Sequence, residues 1–273
     1  MVQRLNKNST FKRVLTSIAG VPVLIVCLVA GGWVLKSGLL LVSLIGMHEF
    51  YKALSDKSKP MHWAGYACAA VYYVFIGNTG NANVVTIILI SFTLLVCAIT
   101  VFFHKTVSIR DTAVTYFGFC YVAVLLSTIF LINETHGGWL VSVAFVSAWG
   151  CDTGAFIFGK ALGKHKLTPA LSPKKTVEGA IGGTLTAALL TAPIIGMAVF
   201  NGGMRYALIG AVIGAVCAIF AQLGDLFASA IKRHTGIKDF GAVLPGHGGV
   251  IDRFDSVLFT APILYILSLI ILK

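Results

Sequence analysis

Residues 83–103, NVVTIILISFTLLVCAITVFF, run their whole length without a charge. An apolar stretch of about 18 residues or more is long enough to cross the hydrocarbon core of a bilayer as a helix. Comparable runs recur along the chain and predict nine spans: 14–35, 37–54, 61–77, 83–103, 112–132, 138–159, 179–200, 206–231 and 254–272. Composition agrees: 57% of residues are hydrophobic and 11% charged, where soluble domains carry about 25% charged residues. A soluble core of 273 residues could not hide that much apolar surface. The expected fold is all-α, a polytopic integral membrane protein of about nine transmembrane helices. The first run is too long for a signal-peptide core, and its small-residue cluster Ala30-Gly31-Gly32 lies inside the run, so it is expected to be retained.

Charge then orients the spans, because Lys and Arg in short loops stay on the cytoplasmic side. With the N-terminus inside, all but three of the 21 Lys and Arg residues fall on the inner side, the exceptions being Lys36, Arg205 and Lys273. The net charge of +11 is therefore chiefly a topological signal, with attraction for anionic membrane lipids as a second use. Nucleic-acid binding is disfavoured, since no soluble basic domain is present. The six cysteines lie scattered in the spans without a CxxC pair, which reads as packing rather than a disulfide frame or zinc site.

The chain is expected to divide at about residue 137, with 1–137 as scaffold helices and 138–273 as the catalytic half of one membrane domain. In the first half, His48-Glu49 near the inner end of the second span is a candidate polar contact. In the second half, Asp152, Glu178 and Asp225 lie inside or at the inner ends of spans. An acid within the membrane costs roughly 2.5–3.5 kcal/mol on insertion scales, so its default reading is functional. Gly179, Gly182 and Gly183, and the GxxxG pair Gly210 and Gly214, predict close helix packing.

Three inner segments carry the chemistry. In GDLFASAIKR, Asp225 and Lys232 share a helix face, with Asp225 about 10 Å deeper along the axis. In VIDRFDS, Asp252 and Asp255 are helix neighbours whose carboxylates repel unless a cation stands near them. Three acids with few soft competitors favour Mg²⁺ over zinc. Between them, GAVLPGHGG supplies glycines, Gly248 and Gly249 included, that turn backbone N–H groups toward an anion. Lys232, Arg233, Lys238, His247 and Arg253 add positive charge around it. The third segment, LSPKKTVEGAIGG, places Ser172, Lys174, Lys175 and Thr176 ahead of a helix start whose free N–H groups can hold a phosphate. Glu178 would repel that phosphate unless it binds metal or pairs with a lysine. Asp152, about two turns before Lys160, is either an acid standing behind the ligands or a helix-packing partner. Acids for a metal, cations for phosphates and an apolar body together suit phosphoryl chemistry on a lipid.

The run Ser229-x-x-Lys232-Arg233-x4-Lys238-Asp239-x-Gly241-x2-Leu244-Pro245-x-His247-Gly248-Gly249-x2-Asp252-Arg253-x-Asp255 resembles the signature of the phosphatidate cytidylyltransferases. SPKKTVEG and Gln222-x-Gly224-Asp225 resemble segments of the same family in the same order, while Phe156 stands where that family commonly has tyrosine. The resemblance implies transfer of a cytidylyl group from CTP to phosphatidic acid, giving CDP-diacylglycerol and pyrophosphate, with Mg²⁺ and also K⁺ at the metal centre. It assigns Asp225 and Asp252 to the metal, and the residue reading adds Asp255. It gives Lys232, Arg233, His247 and Arg253 to phosphates and the leaving pyrophosphate. Ser172, Lys174, Lys175 and Thr176 hold either nucleotide or lipid phosphate. A homodimer, and a bacterial inner-membrane setting with the site facing the cytoplasm, complete the expectation. The rival readings are a CTP-dependent lipid or polyprenol kinase, which would release CDP, and a carrier or flippase for an anionic lipid.

Overall fold

In the computed structural model, residues 22–77, 82–198, 204–243 and 248–272 are described. Helix α1 covers 22–30. It is followed by α2 (Gly32–Ala53), α3 (His62–Phe75), α4 (Ala82–Phe102) and α5 (Ile109–Gly118). A π-helical segment, Phe119–Val124, joins α5 to α6 (Leu125–His136). Then come α7 (Gly138–Leu162), strands β1 (Lys166–Thr168) and β2 (Ser172–Thr176), α8 (Val177–Ala198), α9 (Met204–Thr235), the short α10 (Ile251–Phe254) and α11 (Val257–Ile271). The all-α expectation holds, with one small antiparallel hairpin as the only sheet among the described residues.

Among the described residues, six helical stretches are long and apolar enough to cross a membrane: Gly32–Ala53, Asn83–Phe102, Ile109–His136, Gly138–Leu162, Val177–Ala198 and Met204–Thr235. Each coincides with an expected span. The remaining three expected spans fall short of that length or lie partly outside the described residues. At 14 and 15 residues, α3 and α11 reach only about 21–23 Å, against a hydrocarbon core of about 30 Å. The expected span 14–35 begins outside the described residues.

The chain forms two compact units, one of residues 1–131 and 235–253, the other of 132–234 and 254–273. The first unit is built on aromatic packing. Tyr51, Tyr73, Phe50, Phe119 and Phe130 are fully buried there, and the two tyrosine hydroxyls find partners, as a dry interior requires. Tyr51 donates to the Thr115 carbonyl at 2.8 Å and Tyr73 to the Ala123 carbonyl at 3.2 Å. The latter bond enters the π-helical segment, where the wider turn disturbs the regular ladder and leaves backbone groups in need of partners.

The second unit is built on small residues. Helices α7 and α8 approach until a Cβ on Gly183 would lie 2.6 Å from the Cys151 carbonyl oxygen. On α9, Gly210 would meet the Ala192 backbone at 3.0 Å. The GxxxG glycines thus do pack helices closely, and Thr191 ties α8 to the Gly210 carbonyl at 2.9 Å.

Candidate active site

The hairpin after α7 carries the first cations. Pro169 follows Thr168 in a turn closed by the Leu171 N–H to the Thr168 carbonyl, 3.2 Å, a position that suits a fixed φ. Lys166 stands opposite Thr176, and Thr168 opposite Ser172. The hairpin is held to α9 by Arg233, whose Nε donates to the Leu171 carbonyl at 3.3 Å. From β2, the Lys175 ammonium reaches Asp225 of α9 at 2.5 Å. Both side chains are roughly three-quarters buried, with 26% and 29% exposed.

Asp225 is placed by its neighbours in sequence. A Cβ on Gly224 would strike the Asp255 carbonyl oxygen and lie 3.0 Å from the Phe259 ring, so only glycine allows α11 so near. One turn deeper, the Gln222 amide donates to the Ala180 carbonyl at 3.1 Å and Thr184 Oγ at 3.0 Å, locking α9 to α8. Asp152, Phe156, Lys174, Lys175, Gln222 and Asp225 line a cavity of about 280 Å³ among α7, α8, α9 and the hairpin. Apolar walls with a few converging polar groups are what a ligand site requires. Asp152, Asp225 and Asp255 lie within Coulombic range of one another, and Lys232 lies within range of Asp255.

The glycine-rich loop belongs to the first unit. Asp252 Oδ2 accepts the backbone N–H groups of Phe240 at 2.8 Å and Gly249 at 3.0 Å. Gly248 has φ of 85°, a left-handed conformation that favours glycine. Lys238 and Arg253 are exposed. His247, with Leu244 and Pro245 of the same motif, lies outside the described residues.

A sequence profile of the cytidylyltransferase family matches residues 11–271. The chain belongs to that family. It is 34% identical over 257 residues to the phosphatidate cytidylyltransferases of Staphylococcus haemolyticus (strain JCSC1435) and Staphylococcus aureus (strain COL), and 35% identical to that of Staphylococcus epidermidis (strain ATCC 12228 / FDA PCI 1200). In each case the match covers 93% of this chain and 97% of the relative.

Within this cytidylyltransferase-family fold, several expected site residues have specific partners. Glu178 meets His165 Nδ1 at 2.6 Å and accepts the Lys164 N–H at 3.1 Å and the His165 N–H at 3.2 Å, so it closes the base of the hairpin. The α8 N-terminus offers fewer free donors than its sequence suggests. The Val177 N–H goes to the His165 carbonyl at 2.9 Å, and the Gly179 N–H to the Thr176 hydroxyl at 3.2 Å. Thr176 is buried and caps the helix, which leaves Ser172 as the less committed hydroxyl of the pair. Asp225 pairs with Lys175 across the hairpin, a partner that the shared face with Lys232 did not suggest. Asp152 opens into the cavity, as does Phe156, whose ring brings no hydroxyl.

Two residues carry more of the arrangement than sequence reasoning assigned them. Gln222 was visible only as part of a motif. Glu49 is 2% exposed and accepts the N–H groups of Val250 and Ile251, each at 3.0 Å. The signal for Glu49 was the one that singled out Asp225, a carboxylate inside an apolar span.

Among the described residues, no three His, Cys, Asp or Glu side chains converge closely enough to hold a metal by themselves. The donor set still suits a hard cation. Mg²⁺ is commonly held by one or two carboxylates, with substrate phosphates and water completing the shell. The Lys175 ammonium on Asp225 marks a point where positive charge is already held.

Proposed function

We propose that the protein transfers the cytidylyl group of CTP to phosphatidic acid, yielding CDP-diacylglycerol and pyrophosphate. The observation that carries this reading is the cavity where Lys174 and Lys175 face Asp152 and Asp225, in a chain whose relatives are named for that reaction. Cations opposite carboxylates suit a triphosphate better than a purely basic patch would. The apolar helices around them suit a lipid that stays in the bilayer while its headgroup reacts.

In the chemical step, a phosphate oxygen of phosphatidic acid forms a bond to the α-phosphorus of CTP. The bond from that phosphorus to the oxygen bridging to the β-phosphorus breaks, and its electron pair leaves with pyrophosphate. The protein's part is positioning and charge neutralisation. Lys174 and Lys175 balance charge on the non-bridging oxygens, and Ser172 donates a hydroxyl hydrogen to a phosphate. The motif's likeness assigns Lys232, Arg233, His247 and Arg253 to phosphates and the departing pyrophosphate, and Lys238, Gly248 and Gly249 to substrate binding.

Mg²⁺ dependence is part of the proposal, with K⁺ as a companion ion. Asp225 and Asp255 would hold the dication, with Asp152 nearby; Asp252 stays in the set on its place in the motif. A bound dication would screen the triphosphate charge. Homodimerisation, and a bacterial inner-membrane position with the site toward the cytoplasm, are supported by the family likeness and the charge bias of the loops.

The test is a product assay on protein reconstituted with phosphatidic acid and radiolabelled CTP. CDP-diacylglycerol and pyrophosphate should appear one to one, and only with lipid present. Release of CDP would instead identify a lipid kinase. Lipid movement without nucleotide turnover would identify a carrier.

A further inference from the structure

Glu49 sits in α2, four residues before the helix ends at Ala53. A carboxylate so far removed from water must find donors or lose its charge. It finds two. Oε1 accepts the N–H of Val250 and Oε2 that of Ile251, each at 3.0 Å, so one side chain grips two consecutive peptide groups some 200 residues away in the chain.

The grip is close on both sides of the loop. A Cβ on Gly249 would lie 2.6 Å from Oε2, and one on Gly241 would collide with Oε1. Asp252 closes the same loop from within, by accepting the N–H groups of Phe240 and Gly249. Two carboxylates, one from α2 and one from α10, thus hold the backbone at 240 and 249–251. Gly248, Gly249, Asp252 and Arg253 of the family motif are presented from this backbone.

We infer that Glu49 is the positioning residue of the glycine-rich loop, anchoring it to α2 through the Val250 and Ile251 amides. It acts through those amides and touches no substrate. The catalytic part of this inference rests on the reading that the loop serves cytidylyl transfer; the anchoring part does not. The chemistry demands two acceptors. Asp keeps both on a shorter arm, whereas Gln replaces one acceptor with an NH₂ that faces an N–H. Gln should therefore fail where Asp partly succeeds, the reverse of what size alone predicts.

The experiment compares Glu49→Gln, Glu49→Asp, Glu49→Ala and Gly241→Ala as full-length proteins in detergent. It measures kcat and the KM for CTP, and trypsin cleavage after Lys238 and Arg253 against cleavage after Lys105. For Gln and Ala, kcat should fall about tenfold or more, and loop cleavage should quicken about tenfold, with Lys105 cleavage unchanged. Glu49→Asp should stay within about threefold of the parent in both readings. Gly241→Ala should reproduce the Gln defect alone, yet add less than about twofold to Glu49→Ala, because the atoms it strikes are then gone.

A Gln variant with parental kcat and parental loop cleavage would overturn the inference. So would cleavage that quickens equally at all sites, since that marks a global loss of stability. Faster loop cleavage with parental kcat would uphold the anchor and refute the loop's part in the transfer reaction.

Discussion

The carboxylates of the two units differ in what surrounds them. In the first unit, Glu49, Asp111 and Asp252 each accept backbone N–H groups. Glu49 takes Val250 and Ile251, Asp111 takes Lys59 and Ser108, and Asp252 takes Phe240 and Gly249. In the second unit, Glu178 and Asp255 also accept backbone N–H groups, but Asp225 meets a lysine side chain and Asp152 opens into a cavity. A carboxylate with both oxygens taken by peptide groups, as in Glu49 and Asp111, is committed to holding the chain in shape. One that faces a side-chain cation and open space can exchange that partner for a substrate or a metal. An acid in an apolar span therefore signals importance, while its donors tell which kind.

Four experiments would break or sharpen that contrast. Stripping divalent cations with EDTA should stop product formation, and added Mg²⁺ should restore it; undiminished turnover in the chelator would remove the metal from the proposal. Asp225→Asn comes next, with kcat expected to fall about 100- to 1000-fold, the scale for losing one electrostatic stabiliser of a transition state. Membrane insertion should be kept, and near-parental turnover would move Asp225 into the structural class. Gln222→Ala loses the two bonds from α9 to α8 and should lower stability by about 1–3 kcal/mol, seen as a lower detergent unfolding midpoint. The smallest effect belongs to Asp111→Ala. It removes half of the capping box that opens α5 and should cost about 0.5–2 kcal/mol of stability. Turnover per folded molecule should not change, and a large loss of kcat there would dissolve the distinction between the units.

Much of the fold was readable because a bilayer imposes a length on apolar segments. The runs at 83–103, 138–159 and 206–231 became α4, α7 and α9 with ends displaced by a few residues. Helices α3 and α11 were harder, since 14 and 15 residues do not separate a span from a short buried helix by pattern alone. The hairpin at 166–176 read only as a loop, because its two strands are too short to show an alternating pattern. Of the site, the residue types and their order were legible, but the partners were not. Asp225 could be matched to Lys232 by helix geometry, whereas its link to Lys175 depends on how the hairpin folds back over α9.

By itself, the amino-acid order determined a helical membrane protein and the identity of its charged groups, because hydrophobic length and local spacing are properties of a single segment. Only the tertiary structure decided that Glu49 clamps a loop about 200 residues downstream, that Thr176 spends its hydroxyl on a helix cap, and that Lys175 answers Asp225. Hydrogen bonds and ion pairs act over about 3 Å. Which distant residues come that close is settled by packing, and no local pattern records it.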